Sequence, residues 1–447
     1  MDNTKEECIW LNTPKPDVEI HHKPGFPVKK VYDNVLEAIG NTPMVRLNKI
    51  PQSFGLKCEI LGKCEYLNVG GSVKDRMGLR MVEEAERLGK IKPGYTIIEN
   101  TSGNAGIGVA LAAAVKGYKM IATIPERMSM EKVLIMKALG ADVIRCLSDA
   151  KWDSPESYVG TARRMNEETP NSIFLNQYSN VNNPLAHYDT LGQEIIDQTD
   201  GKLDVVVIGA GTGGTLTGVS SKLKKHIPEV KTVGVDPEGS ILADPDNLKP
   251  GPYHVEGIGK PFVPNTCVRK LADTWIQVSD KDSFEMARRL VKEEGLLVGG
   301  SSGSAVYAAI KYAIENKLDE RHRIVVILPD SVRNYLTKHM DDDWMIDHGF
   351  LSQELYLNKN SKVYGKKPTD LNMKAIKSYG FDLTVEQAFE IFAEGNDVIP
   401  IVEGGVIRGV LYEGKFLNAV EQKGLKPTDS IKRAVIRQIA VVNILNN

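Results

Sequence analysis

A lysine set among glycines is the first residue of this chain that could do chemistry: Gly70-Gly71-Ser72-Val73-Lys74-Asp75-Arg76. A lysine at a glycine turn just before a helix can sit inside a cleft. There, loss of water or a nearby cation lowers its pKa and makes the amine a Schiff-base nucleophile. Arg76 is such a cation, close in sequence. The same residues also fit an ordinary solvated lysine. The second feature is Gly209-Ala210-Gly211-Thr212-Gly213-Gly214-Thr215, which follows the strand-like run Asp204–Ile208. Glycines let a ligand approach the stacked backbone N–H groups of a helix N-terminus, which suits a phosphate. A purely structural glycine turn is the plainer reading. Gly209, Gly211 and Gly214 also match a dinucleotide loop, with Asp236 at the end of the next strand to hold a ribose hydroxyl. No lysine follows the last glycine, so this is not a Walker loop.

Two further turns carry hydroxyls. Thr101-Ser102-Gly103-Asn104-Ala105-Gly106 follows the apolar run Thr96–Ile98 and suits a carboxylate, or else caps a helix through Thr101 or Ser102. Gly299-Gly300-Ser301-Ser302-Gly303-Ser304 follows Leu296–Val298, read as a strand. If these turns end strands of one parallel sheet, they point into one cleft. A lysine for an aldehyde, a phosphate cradle, a carboxylate turn and a hydroxyl turn are the parts that a pyridoxal-phosphate enzyme of α-amino acids needs.

The elements that must hold these turns show in the hydrophobic pattern. Thr96–Ile98, Met120–Ile124, Val143-Ile144, Val205–Ile208, Thr232–Val235 and Ile324–Leu328 read as buried strands, with helices such as Arg76–Arg87, Gly106–Lys116 and Phe284–Glu294 among them. Near-continuous apolar strands alternating with helices predict an α/β fold with parallel sheets, in two lobes around a cleft. Residues 1–30 are Pro-rich and aperiodic and form an arm; 31–351 form the two-lobed domain; 352–370 are a polar, Lys-rich linker. Residues 371–425 read as a small α+β module, with a helix over Val385–Ala393, strands over Val398–Val402 and Val406–Leu411, and a helix near Phe416–Gln422. Residues 426–447 read as the beginning of another element.

Composition narrows the classes. Among 447 residues, 56 Lys+Arg stand against 58 Asp+Glu, a formal charge of −2 that does not indicate a nucleic-acid binder. No apolar run is long enough to cross a bilayer, and the N-terminal residues lack the apolar core of a signal peptide. Cys8, Cys58, Cys64, Cys146 and Cys267 are too scattered for a disulfide framework. The expectation is a soluble cytoplasmic protein without a membrane or nucleic-acid partner.

Residues 31–351 resemble the β-family, or fold type II, of pyridoxal-phosphate enzymes. The stretches that carry the likeness are Gly40–Pro43, Gly70–Arg76, Thr101–Asn104, Gln177-Tyr178, Asn183–Thr190, Gly211–Thr215, Asp236–Ser240, Glu256–Gly259 and Pro329–Tyr335. Within that family the likeness is to members that join L-serine to the thiol of L-homocysteine, releasing water, with hydrogen sulfide as a further product of the same chemistry. The resemblance implies that Lys74 carries the cofactor's aldehyde and moves the α-proton. It implies Asn104 at the ring oxygen, Ser301 at the pyridine nitrogen, and Gly211, Thr212, Gly213, Gly214 and Thr215 around the phosphate. Thr101, Ser102, Asn104 and Gln177 would hold the substrate carboxylate, with Tyr178 and Gly257 lining the site. A homodimer is the family's usual assembly.

The arm resembles that of haem-carrying members, and Cys8 and His21 fall at the axial thiolate and imidazole positions, implying haem b. Residues 371–425 resemble one CBS motif, which normally pairs with a second around an effector; here the second is only begun, so the resemblance does not imply a complete effector site. Three positions depart from the pattern: Ala105 where threonine is usual, Lys260 where tyrosine is common, and Ser221 where an arginine often contacts haem. The nearest rival is a cysteine synthase that uses sulfide. A nicotinamide dehydrogenase rests on Gly209–Gly214 and leaves Lys74 unexplained, and a catalytically silent scaffold would leave both Lys74 and the cradle without a use. The remaining histidines show no metal spacing.

Overall fold

The computed structural model describes residues 31–147, 150, 154–352 and 377–436. Cys8, His21 and most of the linker expected at 352–370 lie outside the described residues. In chain order the strands are β1 (Met44–Arg46), β2 (Glu59–Cys64), β3 (Thr96–Asn100), β4 (Lys119–Pro125), β5 (Asp142–Cys146), β6 (Ser172–Phe174), β7 (Val205–Gly209), β8 (Lys231–Pro237), β9 (Thr274–Val278), β10 (Arg323–Leu328), β11 (Val398–Glu403) and β12 (Val406–Tyr412). The helices that matter below are α1 (Lys74–Arg87), α2 (Asn104–Lys116), α3 (Met130–Ala138), α4 (Tyr158–Glu168), α5 (Gly192–Thr199), α6 (Gly214–His226), α7 (Asp280–Glu294), α8 (Gly300–Glu315), α9 (Val385–Ala393) and α10 (Glu413–Lys423).

Two sheets build the large unit. One is six-stranded in the order β1-β2-β10-β7-β8-β9, parallel except for the antiparallel β1–β2 edge. The other is four-stranded, β5-β4-β3-β6, and wholly parallel. The polar turns therefore do not end strands of one sheet. The Thr101 turn leaves β3 and the Gly209 loop leaves β7, so the cleft lies between two sheets. Leu296–Val298 is not a strand: it is a short link between α7 and α8 that touches the sheet region through a single bridge from Val298 to Ser331.

Each sheet changes its direction of growth at the strand that carries a turn. From β3 the chain runs outward through β4 and β5, then returns to β6 on the other side of β3. From β7 it runs through β8 and β9, then returns to β10 on the other side of β7. In open parallel sheets the loops diverge at such switch points and leave a crevice beyond the strand ends.

The strands are apolar because both faces are covered. Val205 and Val207 of β7 pack with Ile324 and Val326 of β10 and with Ala305 and Ala309 of α8. The opposite residues, Val206, Ile208, Val325 and Ile327, pack with Leu216, Val219 and Leu223 of α6. The four-stranded lobe buries Ile97, Met120 and Ala122 against Met77 and Met81 of α1 and Val109 and Ala113 of α2. α2 has little polar face because it is enclosed, and it stops at Gly117, whose φ of 76° closes the last turn as only glycine does readily.

The small unit has its own core of Leu383, Val385, Ala388, Phe392, Ile399, Ile401, Leu411 and Phe416. α9 opens with a reciprocal Thr384–Gln387 capping box. Ile431 and Ala434 belong to this same core, and Ile436 pairs with Val410. Residues 426–436 thus close the small unit rather than start a separate one, because its two-stranded sheet leaves an apolar face that they cover.

Candidate active site

Lys74, Asn104, Gly211, Gly213, Thr215, Gly257 and Ser301 line a single cavity, together with Val73, Gly209, Ile258, Ile327 and Pro329. It holds about 460 Å3 of unfilled space, its open mouth included. The lining comes from both lobes: α2 from the four-stranded side, and the ends of β7 and β10 with α8 from the six-stranded side.

Lys74 is the first residue of α1, and Val73 before it is tied to the end of β10 by its N–H to the carbonyl of Pro329, 2.8 Å. Burial pulls the Lys74 amine down to about 8, against an upward pull from the Asp330 carboxylate. An amine poised there is neutral often enough near physiological pH to act as nucleophile and base. Asn104 opens α2. Its Nδ2 donates to Asp330 Oδ2 at 2.7 Å and its Oδ1 accepts from Asn334 Nδ2 at 3.1 Å, so the amide's orientation is fixed with one N–H left over. Asp330 also accepts from the Tyr335 hydroxyl, which in turn accepts from Lys132 Nζ at 3.0 Å.

The glycine loop has no room for side chains. A Cβ at Gly211 would lie 2.4 Å from the Gly257 carbonyl oxygen, and one at Gly214 would lie 2.0 Å from Asn183 Oδ1. Gly213 has a φ of 79°. The loop ends on the first turn of α6, where backbone N–H groups lack intrahelical partners and the helix dipole favours an anion. Thr212 and Gly214 stand behind the lining: Thr212 Oγ1 accepts from Asn183 Nδ2 at 3.0 Å and from Gly214 N at 3.3 Å. Thr215 Oγ1 lies 3.3 Å from His187 Nε2. Burial holds His187 well below its ordinary pKa, helped by the charges of Lys74 and Arg76, so its ring is neutral.

Ser301 Oγ faces the cavity, buried and without a hydrogen-bond partner among the described residues. A buried hydroxyl with no partner is costly unless a ligand supplies one.

The proposed carboxylate residues are less exposed than the sequence suggested. Thr101 Oγ1 accepts from Gly103 N and Gly106 N, both at 2.9 Å, and so satisfies a first-turn N–H of α2 from outside the helix, whose N-cap is Gly103 rather than Thr101 or Ser102. Its O–H remains able to donate. Gln177 Nε2 donates to the Asn100 carbonyl at 2.7 Å. Tyr178 is buried, its hydroxyl 2.7 Å from that of Tyr158. Thr101, Ser102, Gln177 and Tyr178 are not among the residues that line the cavity.

Several residues escaped the sequence reading. Glu256 is buried between Lys132 Nζ (2.7 Å), Lys338 Nζ (2.5 Å) and the Ser129 N–H (3.1 Å), and those cations overcome its burial and hold its carboxyl near 2. This anchors the strap Gly257–Gly259 over the cavity. The stretches Glu256–Gly259 and Pro329–Tyr335 had been noticed as motifs, yet Lys132 lies within an unremarkable helix, α3, and gave no signal. Asp236, the candidate ribose ligand, is fully buried and accepts from Ala243 N at 3.0 Å, so it faces inward and the dinucleotide reading loses its acid. Among the described residues, no group of three or more His, Cys, Asp and Glu is placed to hold a metal ion, and no helix is long and apolar enough to cross a membrane.

Comparison with known proteins bears directly on this cavity. A family model described as pyridoxal-phosphate dependent enzyme matches residues 35–330. Cystathionine β-synthase of Rattus norvegicus is 48% identical over 448 residues, covering 99% of this chain and 79% of that protein. The chain belongs to the cystathionine β-synthases, within the pyridoxal-phosphate dependent enzymes. The cystathionine β-synthase of Dictyostelium discoideum is 47% identical over 440 residues, 96% of this chain and 87% of that one. Among solved structures, the O-acetylserine dependent cystathionine β-synthase of Helicobacter pylori superposes with a TM-score of 0.65 at 39% identity, covering 69% of this chain and 99% of that chain. A hydrogen sulfide-producing enzyme of Fusobacterium nucleatum gives 0.65 at 38% identity, covering 68% and 100%.

The residues present fit the cofactor that this family uses. A lysine with a lowered pKa suits an aldehyde, a glycine cradle at a helix N-terminus suits a phosphate, and a buried hydroxyl such as Ser301, partnerless among the described residues, suits a ring nitrogen.

Proposed function

We propose that this chain joins L-serine to L-homocysteine, forming cystathionine and water by replacement at the β-carbon. The observation that carries the reading is the convergence of Lys74, Asn104, the Gly211–Thr215 loop and Ser301 on one cavity. Pyridoxal phosphate, when bound, supplies an electron sink that makes the Cα proton of an amino acid removable and lets the β-hydroxyl leave.

The chain's own residues do the rest. Lys74 Nζ holds the aldehyde and is the base that takes the Cα proton and later returns it. The α6 N-terminus with Gly211, Thr212, Gly213, Gly214 and Thr215 binds the phosphate. Asn104, with its orientation fixed by Asp330 and Asn334, turns its remaining N–H toward the ring oxygen. Ser301 Oγ would meet the pyridine nitrogen as a neutral partner, which does not enforce ring protonation as a carboxylate would. The Thr101 hydroxyl, Ser102, Asn104 and Gln177 bind the carboxylate of serine. Tyr178 and Gly257 close the site against water.

The same chemistry with sulfide would make cysteine, and with a thiol in place of serine's hydroxyl would release hydrogen sulfide. The further parts of the reading are haem b on Cys8 and His21, whose thiolate and imidazole suit axial ligation, a CBS motif over 371–425, a homodimer and a cytoplasmic location.

The test is an absorption spectrum of the purified protein before and after L-serine, alongside Lys74→Ala. A cofactor band that moves with serine, together with loss of thioether formation in Lys74→Ala, is the expected result. Normal turnover in Lys74→Ala would sink the assignment.

A further inference from the structure

The strap over the cavity ends in a cation that the reaction described above does not use. Glu256 pins the strap at one end. At the other, Lys260 N donates to Ser240 Oγ at 2.9 Å, Ser240 Oγ donates to the Lys260 carbonyl at 3.1 Å, and Ile241 N donates to the same carbonyl at 3.1 Å. Between the pins, Gly257 and Ile258 line the cavity. A Cβ built on Gly257 would lie 3.8 Å from Asn104 Nδ2 and 3.9 Å from Ser301 Oγ, so the strap rests directly on the site.

Lys260 follows two residues later, and its Nζ sits 5.2 Å from the centroid of the Tyr178 ring. Tyr178, which follows β6, shares a hydrogen bond with Tyr158 at the start of α4, both on the four-stranded lobe, and meets Phe262 edge-on at 5.3 Å. The amine therefore lies beside the strap, over a ring of the four-stranded lobe and within electrostatic reach of Lys74. Among the described residues no carboxylate pairs with it. Burial pulls it down to about 7, and the positive charges of Arg127 and Lys74 push the same way. A partly buried amine beside two cations and over an aromatic face takes up its proton more readily when an anion joins it.

We infer that Lys260 binds the carboxylate of the second, thiol-bearing substrate and so sets the enzyme's preference for an amino-acid thiol. The inference rests on the function proposed above. The carboxylate of the first substrate has its own proposed donors at the α2 N-terminus. The second substrate enters through the mouth, past Lys260, with its thiol leading toward Lys74. Its trailing carboxylate is the anion that this ammonium meets.

The experiment compares two thiols, L-homocysteine and 3-aminopropane-1-thiol, which is the same molecule without its carboxylate. Wild type, Lys260→Met and Lys260→Arg are assayed as holoenzymes at saturating serine. Lys260→Met should raise KM for homocysteine roughly tenfold or more, the worth of one charged hydrogen bond. Its KM for 3-aminopropane-1-thiol and for serine should stay within about twofold, the additivity expected of sites that do not interact. Lys260→Arg should restore most of the homocysteine affinity. In wild type alone, removing the carboxylate should weaken binding, and in Lys260→Met it should not.

An equal loss for both thiols would overturn the inference, because Lys260 would then act on the sulfur or on the fold. So would an unmoved KM for homocysteine, or a raised KM for serine. Should Lys260→Met fail to fold, equal KM values for the two thiols in wild type would overturn it just as well. If wild type forms no thioether at all, the function reading falls and the inference with it; if wild type turns over and only the comparison fails, the function reading stands.

Discussion

Glu99 shows how strongly a single side chain here depends on its surroundings. It lies on β3 with no exposure; its Oε1 accepts the Gln177 N–H at 3.2 Å and its Oε2 has no partner among the described residues. Burial raises its carboxyl to about 8, although the Gln177 and Asn176 donors favour the charged form. The folded protein therefore holds a proton that the unfolded chain gives up at its ordinary value near 4.5. The sign follows: between those two values the folded state binds more protons, so stability declines as pH rises, and the decline ends above about 8. Glu99→Gln keeps the shape and does not titrate. Relative to it, wild type should lose stability between pH 5 and pH 8, by on the order of a few kcal/mol. Urea midpoints at several pH values read this, and a wild-type-to-variant difference that stays flat would mean that Glu99 ionises normally. At pH 7 the carboxyl is largely protonated and the neutral isostere keeps the acceptor for the Gln177 backbone N–H, so KM for serine should stay near wild type there.

At the scale of elements, the site depends on how closely α1 approaches α2. Lys74 starts one helix and Asn104 the other, and the two backbones touch at glycines. A Cβ on Gly108 would lie 2.6 Å from the Lys74 carbonyl oxygen, and one on Gly78 would lie 2.5 Å from the Gly108 carbonyl carbon. Backbone cannot move aside as a flexible side chain can, so Gly108→Ala must push Lys74 from its place. Overpacking of this kind costs about 1–3 kcal/mol, and a shift near 1 Å at a reacting group lowers kcat by up to roughly a hundredfold. Thermal melting and turnover, measured where the variant is fully folded, check both halves; unchanged kcat would show that the contact does not set the lysine. Much at this scale was legible in the sequence. β7 and β10 stood out because sheets covered on both faces need unbroken apolar runs. Helix starts were read late, at Arg76, Gly106 and Phe284 rather than Lys74, Asn104 and Asp280. First turns are polar, so the apolar period begins only after them, and α7 shows the signal that was missed: Ser279 caps it by accepting from Asp282 N. Leu296–Val298 misled because three apolar residues fit a strand and a tight helix–helix link equally well. That the turns belong to two sheets was not legible, since strand order is set by pairings a hundred or more residues apart.

Across the whole molecule the lobes are joined by charge as well as by packing. Arg76 on α1 donates to Glu65 Oε2 at 2.7 Å and Oε1 at 2.8 Å, and to Glu194 Oε1 at 2.6 Å on α5. Lys63 on β2 donates to Glu194 Oε2 at 2.7 Å and to the Thr42 carbonyl at 2.6 Å. α1 packs in the four-stranded lobe, whereas β2 and α5 belong to the six-stranded side. Arg76 therefore ties the helix that carries Lys74 to the sheet that carries the glycine cradle. Burial alone would raise the Glu65 carboxyl, but Arg76 and Lys63 pull it below its ordinary value. None of this was visible in sequence, where Arg76 was read only as a neighbour that could tune Lys74. A buried pair of this kind adds little net stability over an apolar pair, yet removing one member strands a charge, at a cost of about 3–5 kcal/mol. Arg76→Met should cost that much, because it leaves Glu65 without its main partner. It should also weaken cofactor retention, since both lobes contribute to the cavity. Denaturant unfolding of the holoenzyme and of the stripped protein separates the two effects: the variant should unfold earlier in both forms and gain less than wild type from added pyridoxal phosphate. A loss below about 1 kcal/mol, the worth of a surface pair, would show that the cluster is solvated and that the lobes are held together by packing alone.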